Sequence, residues 1–92
     1  MAKLEGEKIS TENCYSVGYS KGLGKYVISV FFSYLGCYCD YYEITEEEYN
    51  KFGSKELDEL AFSLRSSTYT DHKFLYSERN GGDEEIRKKL YS

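Results

Sequence analysis

The stretch from residue 14 to residue 44 constrains the fold most, because β-forming residues dominate it and only short glycine-containing segments interrupt it. Residues 14–20 alternate aromatic or apolar residues with Ser and Gly, the period-two pattern of a half-buried strand. Residues 26–34 and 37–44 are rich in β-branched and aromatic residues. The segments between them, residues 21–25 and Leu35-Gly36, supply the glycines that hairpin turns favour. The pattern predicts an antiparallel meander of three strands.

Helical signals begin directly after the third strand. Thr45 and Glu48 have the spacing of a capping box, and Ser54 can cap a second helix. The apolar residues of that second helix recur at the spacing of a core-facing stripe, namely Leu57, Leu60, Ala61 and Leu64. Asp83 can cap a last helix in which Ile86 and Leu90 form the apolar stripe.

Between the second and the last helix, residues 72–78 can form a fourth strand, and Asn80-Gly81-Gly82 has the composition of a turn. Residues 1–12 are charged and lack periodicity, which indicates a flexible or edge segment. The predicted fold is therefore α+β: an antiparallel β-meander of three to four strands with two to three helices packed on one face. Residues 1–92 form a single domain, because 92 residues suffice for only one modest core.

Composition excludes several classes of function. Eleven tyrosines and five phenylalanines argue against disorder, and 16 acidic against 12 basic residues, a net charge of −4, argue against a general nucleic-acid binder. Three cysteines are too few for a disulfide scaffold. No signal peptide or membrane span is expected from the sequence. The expected protein is soluble and cytoplasmic.

The negative charge is concentrated in one segment. Residues 40–60 contain eight acidic residues and two lysines, a net charge of −6, whereas the chain on either side is slightly basic. Such a segment can attract a basic partner and speed its encounter. The alternative is an ordinary solvated face that keeps a small protein in solution.

The hairpin at Leu35-Gly36 suggests where an interface would lie. A two-residue turn pairs Tyr34 with Cys37, Phe32 with Cys39 and Val30 with Tyr41, so one face of the hairpin is core. The other face carries Val27, Ser29, Phe31, Ser33, Tyr38, Asp40, Tyr42 and Ile44. Aromatic residues edged with Ser and Asp are typical of interface cores. The alternative is that the last helix or the N-terminal segment covers this face, and a one-residue change in the turn would exchange the two faces.

Few residues offer catalytic or metal chemistry. Cys14, Cys37, Cys39 and His72 could together form a Cys₃His site, but Cys-x-Cys within a strand is a poor match to structural zinc motifs. A small metal-binding or redox module is therefore kept as an alternative of another class. No nucleophile–base pair or phosphate-binding loop is indicated, so we expect neither an enzyme nor a cofactor.

The tyrosine-rich hairpin with Tyr38, Tyr41 and Tyr42 runs directly into Ile44-Thr45-Glu46-Glu47-Glu48-Tyr49 within a small acidic α+β domain. In this architecture the chain resembles the small cytoplasmic immunity proteins of bacterial polymorphic toxins, particularly those of contact-dependent growth inhibition. The resemblance implies a non-enzymatic protein that binds one cognate toxin domain, commonly a nuclease, and occludes its basic substrate cleft. Phage-encoded anti-CRISPR inhibitors share the same small and acidic character and are the alternative within this class.

An immunity protein would use the acidic and tyrosine-rich segment to contact its toxin. The residues expected to bind the partner are Tyr38, Asp40, Tyr42, Glu43, Glu46, Glu47 and Glu59. Carboxylates would take the place of phosphates, and tyrosines would fill pockets meant for bases. We expect a monomer or weak homodimer that contacts neither nucleic acid nor membrane directly.

Overall fold

A computed structural model describes residues 4–32, 38–65, 74–78 and 81–91. Within these residues, six antiparallel strands form one sheet in which spatial order follows chain order, and three helices accompany it. The strands are β1 (Glu5–Ser10), β2 (Tyr15–Ser20), β3 (Lys25–Phe32), β4 (Tyr38–Ile44), β5 (Phe74–Ser77) and β6 (Gly81–Gly82). The helices are α1 (Glu46–Asn50), α2 (Lys55–Arg65) and α3 (Glu84–Leu90).

The turn between β2 and β3 shows why the chain folds back where it does. Gly24 has a positive φ of 67°, which glycine adopts without strain, and its N–H donates to the carbonyl of Ser20 at 2.8 Å. The turn aligns Ser20 with Lys25 and carries the register through to Tyr15 opposite Val30. The predicted strand over residues 14–20 is confirmed apart from its first residue.

The sheet has a core on each of its faces because β3 is apolar on both. Ile28 and Val30 point to one face and pack with Leu57, Ala61 and Leu64 of α2. Val27 points to the other face and packs with Leu90 of α3. We call the first the α1–α2 face and the second the α3 face.

Two parts of the predicted architecture are wrong. The sheet has six strands, not three to four, because the N-terminal segment forms edge strand β1 and the predicted turn at Gly81-Gly82 pairs with β5 as β6. The helices lie on both faces, not on one. Val27 and Ile28 are adjacent, point in opposite directions and are both fully buried, so each face needs a helix to exclude water.

The hairpin register also differs from the prediction. Phe32 pairs with Tyr38 and Val30 with Asp40, one residue away from the predicted partners Cys39 and Tyr41. Five residues, 33–37, separate the last pair instead of a two-residue turn; Tyr34, Leu35-Gly36 and Cys37 lie outside the described residues. Because side chains alternate along a strand, this shift moves Tyr38, Asp40, Tyr42 and Ile44 onto the same face as Ile28 and Val30.

The helix boundaries follow the predicted signals. Thr45 and Glu48 form the capping box of α1, and the Ser54 hydroxyl accepts from the N–H of Leu57. Asp83 caps α3 by accepting from the N–H of Glu85 at 2.8 Å. None of the helices in the described ranges is long and apolar enough to cross a membrane.

Candidate interaction surface

Asp40 lies in a regular array of side chains on the α1–α2 face. Along β4 its neighbours on this face are Tyr38 and Tyr42, each about 7 Å away by strand geometry. Across the sheet it lies opposite Val30 on β3 and Ser77 on β5. The carboxylate therefore sits between two tyrosines in one direction and between a valine and a serine in the other.

An aromatic pair stands at each end of this array. The rings of Phe32 and Tyr38 are stacked, with centroids 4.9 Å apart and planes inclined by 9°. Tyr42 and Phe74 meet edge to face at 5.5 Å. Phe74 reaches this position because β5 has an irregularity at Leu75, which places Tyr41 opposite Tyr76 but Tyr42 opposite Phe74. We call Phe32, Tyr38, Asp40, Tyr42 and Phe74 the aromatic–carboxylate patch.

The patch is neither fully covered nor fully exposed. Phe32, Tyr38, Asp40 and Tyr42 are all partly exposed, and Phe74 is 43% exposed. An edge-to-face or stacked aromatic pair is a rigid surface that loses little side-chain entropy on contact. The α1–α2 face thus keeps an accessible aromatic border next to its core.

The carboxylate of Asp40 is incompletely satisfied. Its Oδ1 atom is buried and has no hydrogen-bond donor among the described residues. Burial raises the pKa of Asp40 above its ordinary value of 3.8; a hydrogen bond from Ser77 opposes the shift, and the charge of Glu78 adds to it. In turn, burial and then the charge of Asp40 raise the pKa of Tyr42. The carboxylate of Asp40 therefore has hydrogen-bonding capacity that the described residues do not use.

A second feature lies on the same side of the sheet, on the two helices that cover it. Glu46, Glu47, Glu56 and Glu59 are exposed on α1 and α2, and Glu48 is partly exposed. We call these five residues the α1–α2 acidic surface. Lys51 joins the helices through Glu56 at 2.9 Å and Glu47 at 3.7 Å. Its pKa is raised by the hydrogen bond and charge of Glu56, with smaller contributions from Glu47 and Glu48.

The seven residues predicted to bind a partner fall into three places. Tyr38, Asp40 and Tyr42 lie together in the aromatic–carboxylate patch. Glu46, Glu47 and Glu59 belong to the α1–α2 acidic surface. Glu43 lies on the opposite, α3 face, where it pairs with Lys25 at 2.9 Å.

Phe32 and Phe74 complete the patch, Ser77 lies opposite Asp40 beside it, and none of the three is predicted from the sequence to lie at an interface. The predicted two-residue turn pairs Phe32 with Cys39 and places it in the core, one residue away from the observed pairing with Tyr38. Phe74 is brought to Tyr42 by the irregularity in β5. The sequence shows only that Phe74 is an aromatic residue near the start of a short predicted strand. This does not indicate which residue it contacts on the neighbouring strand.

On the α3 face, Glu78 serves the structure. Its carboxylate accepts from the N–H of Cys39 at 2.8 Å and from the hydroxyls of Tyr41 and Tyr91 at 3.3 and 2.8 Å. These bonds tie β4, the end of β5 and the end of α3 together around a partly buried carboxylate. The role of Glu78 is therefore structural: its carboxylate holds three elements of the fold together.

The cysteines do not form a shared site within the described residues. Cys14 and Cys39 align with Phe31 of the intervening strand: the N–H of Phe31 donates to the carbonyl of Cys14, and Phe31 pairs with Cys39. Two strand spacings, about 10 Å, therefore separate their backbones. No cluster of three or more potential metal ligands occurs among the described residues; Cys37 and His72 lie outside them.

Comparisons of the chain with protein-family models, with curated proteins and with solved structures found no match. The α1–α2 acidic surface and the aromatic–carboxylate patch are therefore the features of the fold that bear on its function.

Proposed function

We propose that this protein is a non-enzymatic, cytoplasmic immunity protein that binds a cognate bacterial toxin domain with a basic, nucleic-acid-binding cleft and blocks that cleft. The observation that carries the proposal is the presence, on the same side of the sheet, of an exposed acidic surface and a partly exposed aromatic patch. Carboxylates provide charge complementary to a nuclease cleft, and aromatic rings provide the apolar contacts that hold a complex together.

The two features have different tasks in this proposal. Exposed carboxylates on α1 and α2 act at a distance, so they raise the association rate and make it depend on salt. Partly buried aromatic residues lose their remaining contact with water only in the complex, so they slow dissociation. A one-to-one complex of this kind inhibits by occupying the cleft in place of the nucleic-acid backbone.

The experiment compares two matched pairs of substitutions. Glu46→Gln/Glu47→Gln neutralises the first turn of α1, on the proposed binding side. Glu84→Gln/Glu85→Gln neutralises the first turn of α3, on the other face. Each pair removes two charges and, among the described parts of the chain, one ion pair with an N–O distance of 3.7 Å, so effects on net charge and helix capping are matched.

The partner to use is the C-terminal domain of a toxin encoded immediately upstream of the gene, with its nuclease activity and its association rate as readouts. The wild-type protein is expected to inhibit the nuclease at one equivalent. The α1 pair is expected to slow association about tenfold at low salt, with little effect at high salt, whereas the α3 pair has little effect. Equal effects of both pairs, or no inhibition by the wild-type protein, would contradict the proposal. Inhibition of a host defence nuclease, together with location of the gene for this protein in a phage operon, would instead support the anti-CRISPR alternative.

A further inference from the structure

We propose that the aromatic–carboxylate patch is an arginine-binding site, in which one guanidinium group of the partner lies against the aromatic rings and pairs with the carboxylate of Asp40. The inference deepens the proposed function and rests on it only for the statement that the partner is a basic protein.

Asp40 lies between two pairs of aromatic rings on the α1–α2 face. Its same-face neighbours along β4 are two tyrosines, and each tyrosine forms a ring pair with an aromatic residue on an adjacent strand. A planar guanidinium group bound to Asp40 would therefore lie between two aromatic ring pairs. Attraction between a cation and a ring is effective within about 6 Å of the ring centroid, a distance compatible with the spacing along the strand.

The carboxylate of Asp40 is incompletely hydrogen-bonded within the described ranges and can accept a further donor. Oδ1 of Asp40 has no donor among the described residues, although a donor is the normal requirement of a buried carboxylate oxygen. Ser77 supplies a hydrogen bond to the carboxylate from the neighbouring strand. A partial rotation about the broad χ2 torsion of Asp40 would turn the unsatisfied oxygen toward the partly exposed side, where an incoming guanidinium group can donate to it.

The combination of rings and carboxylate favours arginine over lysine. A guanidinium group is planar and weakly hydrated, stacks on aromatic faces and presents several N–H donors in one plane. An ammonium group is more strongly hydrated and cannot stack. Charge attraction alone would draw the two cations equally, so a preference for arginine distinguishes this site from the general effect of the acidic surface.

Single blocked amino acids test the site without the complication of many charges. The full chain is titrated with N-acetyl-arginine amide or N-acetyl-lysine amide, and the backbone amide resonances are followed by NMR. Arginine is expected to shift the resonances of residues 38–42 and 74–77 in a saturable manner. Lysine is expected to bind at least about threefold more weakly, because it lacks the stacking contribution.

Asp40→Asn is the decisive variant, because it keeps the shape of the side chain and removes its charge. It is expected to weaken arginine binding about tenfold, as for the loss of a charge-assisted hydrogen bond. Glu85→Gln, which removes an exposed charge on α3 on the other face of the sheet, is the control and should leave the affinity unchanged. Equal effects of the two variants, equal binding of arginine and lysine, or shifts confined to α1 and α2 would overturn the assignment.

The toxin domain separates failure of this inference from failure of the proposed function. If the wild-type protein inhibits the toxin and Asp40→Asn inhibits it with the same affinity, the arginine site is wrong and the proposed function stands. If arginine binds at the patch in an Asp40-dependent manner but no toxin is inhibited, the site stands and the proposed function is wrong.

Discussion

Replacing Asp40 by asparagine is predicted to stabilise the fold at neutral pH. The carboxylate is partly buried, and its Oδ1 finds no donor among the described residues, so its ionised form is less well solvated in the folded state than in the unfolded chain. Asparagine has nearly the same shape and carries no charge. Removal of the partly buried charge is worth about 1 kcal/mol, which for a domain of this size raises Tm by about 4–8 °C.

The pH dependence of this gain provides a sharper test. The pKa of Asp40 is raised in the folded state above its ordinary value of 3.8, so the folded state binds the proton more tightly than the unfolded state. The stability that protonated Asp40 contributes is fully present below pH 3.8 and is lost as pH rises through the raised pKa. The advantage of Asp40→Asn should therefore be absent at acidic pH and reach its full size above the raised pKa.

Thermal and urea unfolding of both proteins across this pH range measures the difference directly. Because every other carboxylate is common to the two proteins, its titration cancels in the comparison to first order. An Asp40→Asn variant that is less stable than wild type near neutral pH, or whose advantage is the same at acidic pH, would refute the reasoning. Greater stability together with weaker arginine binding would indicate that Asp40 is kept for recognition rather than for folding.

Three further predictions concern the core and its borders. Gly18→Ala should destabilise the protein by about 1–3 kcal/mol in urea unfolding, since a Cβ at this position would lie 2.6 Å from Cβ of Leu4; unchanged stability would mean that β1 can shift freely. Tyr15→Phe removes the hydroxyl that donates to Asp58 at 2.6 Å and should cost about 1–3 kcal/mol. In an Asp58→Asn background the same change should cost less, and an equal cost would assign the effect to packing. The pKa of Cys39 is raised to about 12 by burial and then by the charge of Glu78. Mass spectrometry after iodoacetamide treatment should therefore find Cys14 alkylated well before Cys39 in the folded protein, and equal rates would contradict the buried placement.

Local features of the chain were predictable from the sequence. The strand over residues 15–20, the capping box of Thr45 and Glu48, the N-cap at Asp83 and the apolar stripe of α2 all occur as expected. Each depends on neighbours within a few residues, where periodicity, side-chain hydrogen bonds and helix geometry act directly. The acidic residues of α1 and α2 were likewise found by position alone.

The aromatic–carboxylate patch depended on contacts between distant parts of the chain. The residue types of Tyr38, Asp40 and Tyr42 suggested an interface, but the face on which they lie follows from the pairing of Phe32 with Tyr38 across residues 33–37. A shift of one residue reverses every side chain of β4, because side chains alternate with a period of two. Phe74 joins the patch only through the irregular pairing of β5.

The sequence by itself determined that the chain forms an antiparallel meander joined to short capped helices, and that its negative charge is concentrated in residues 40–60. Tertiary structure alone decided the number of strands, the side of the sheet on which each helix packs and the surroundings of Asp40. The physical reason is that both faces of β3 are apolar and each must be covered. Which helix covers which face, and in which register β4 pairs, depends on the total burial that all elements achieve together.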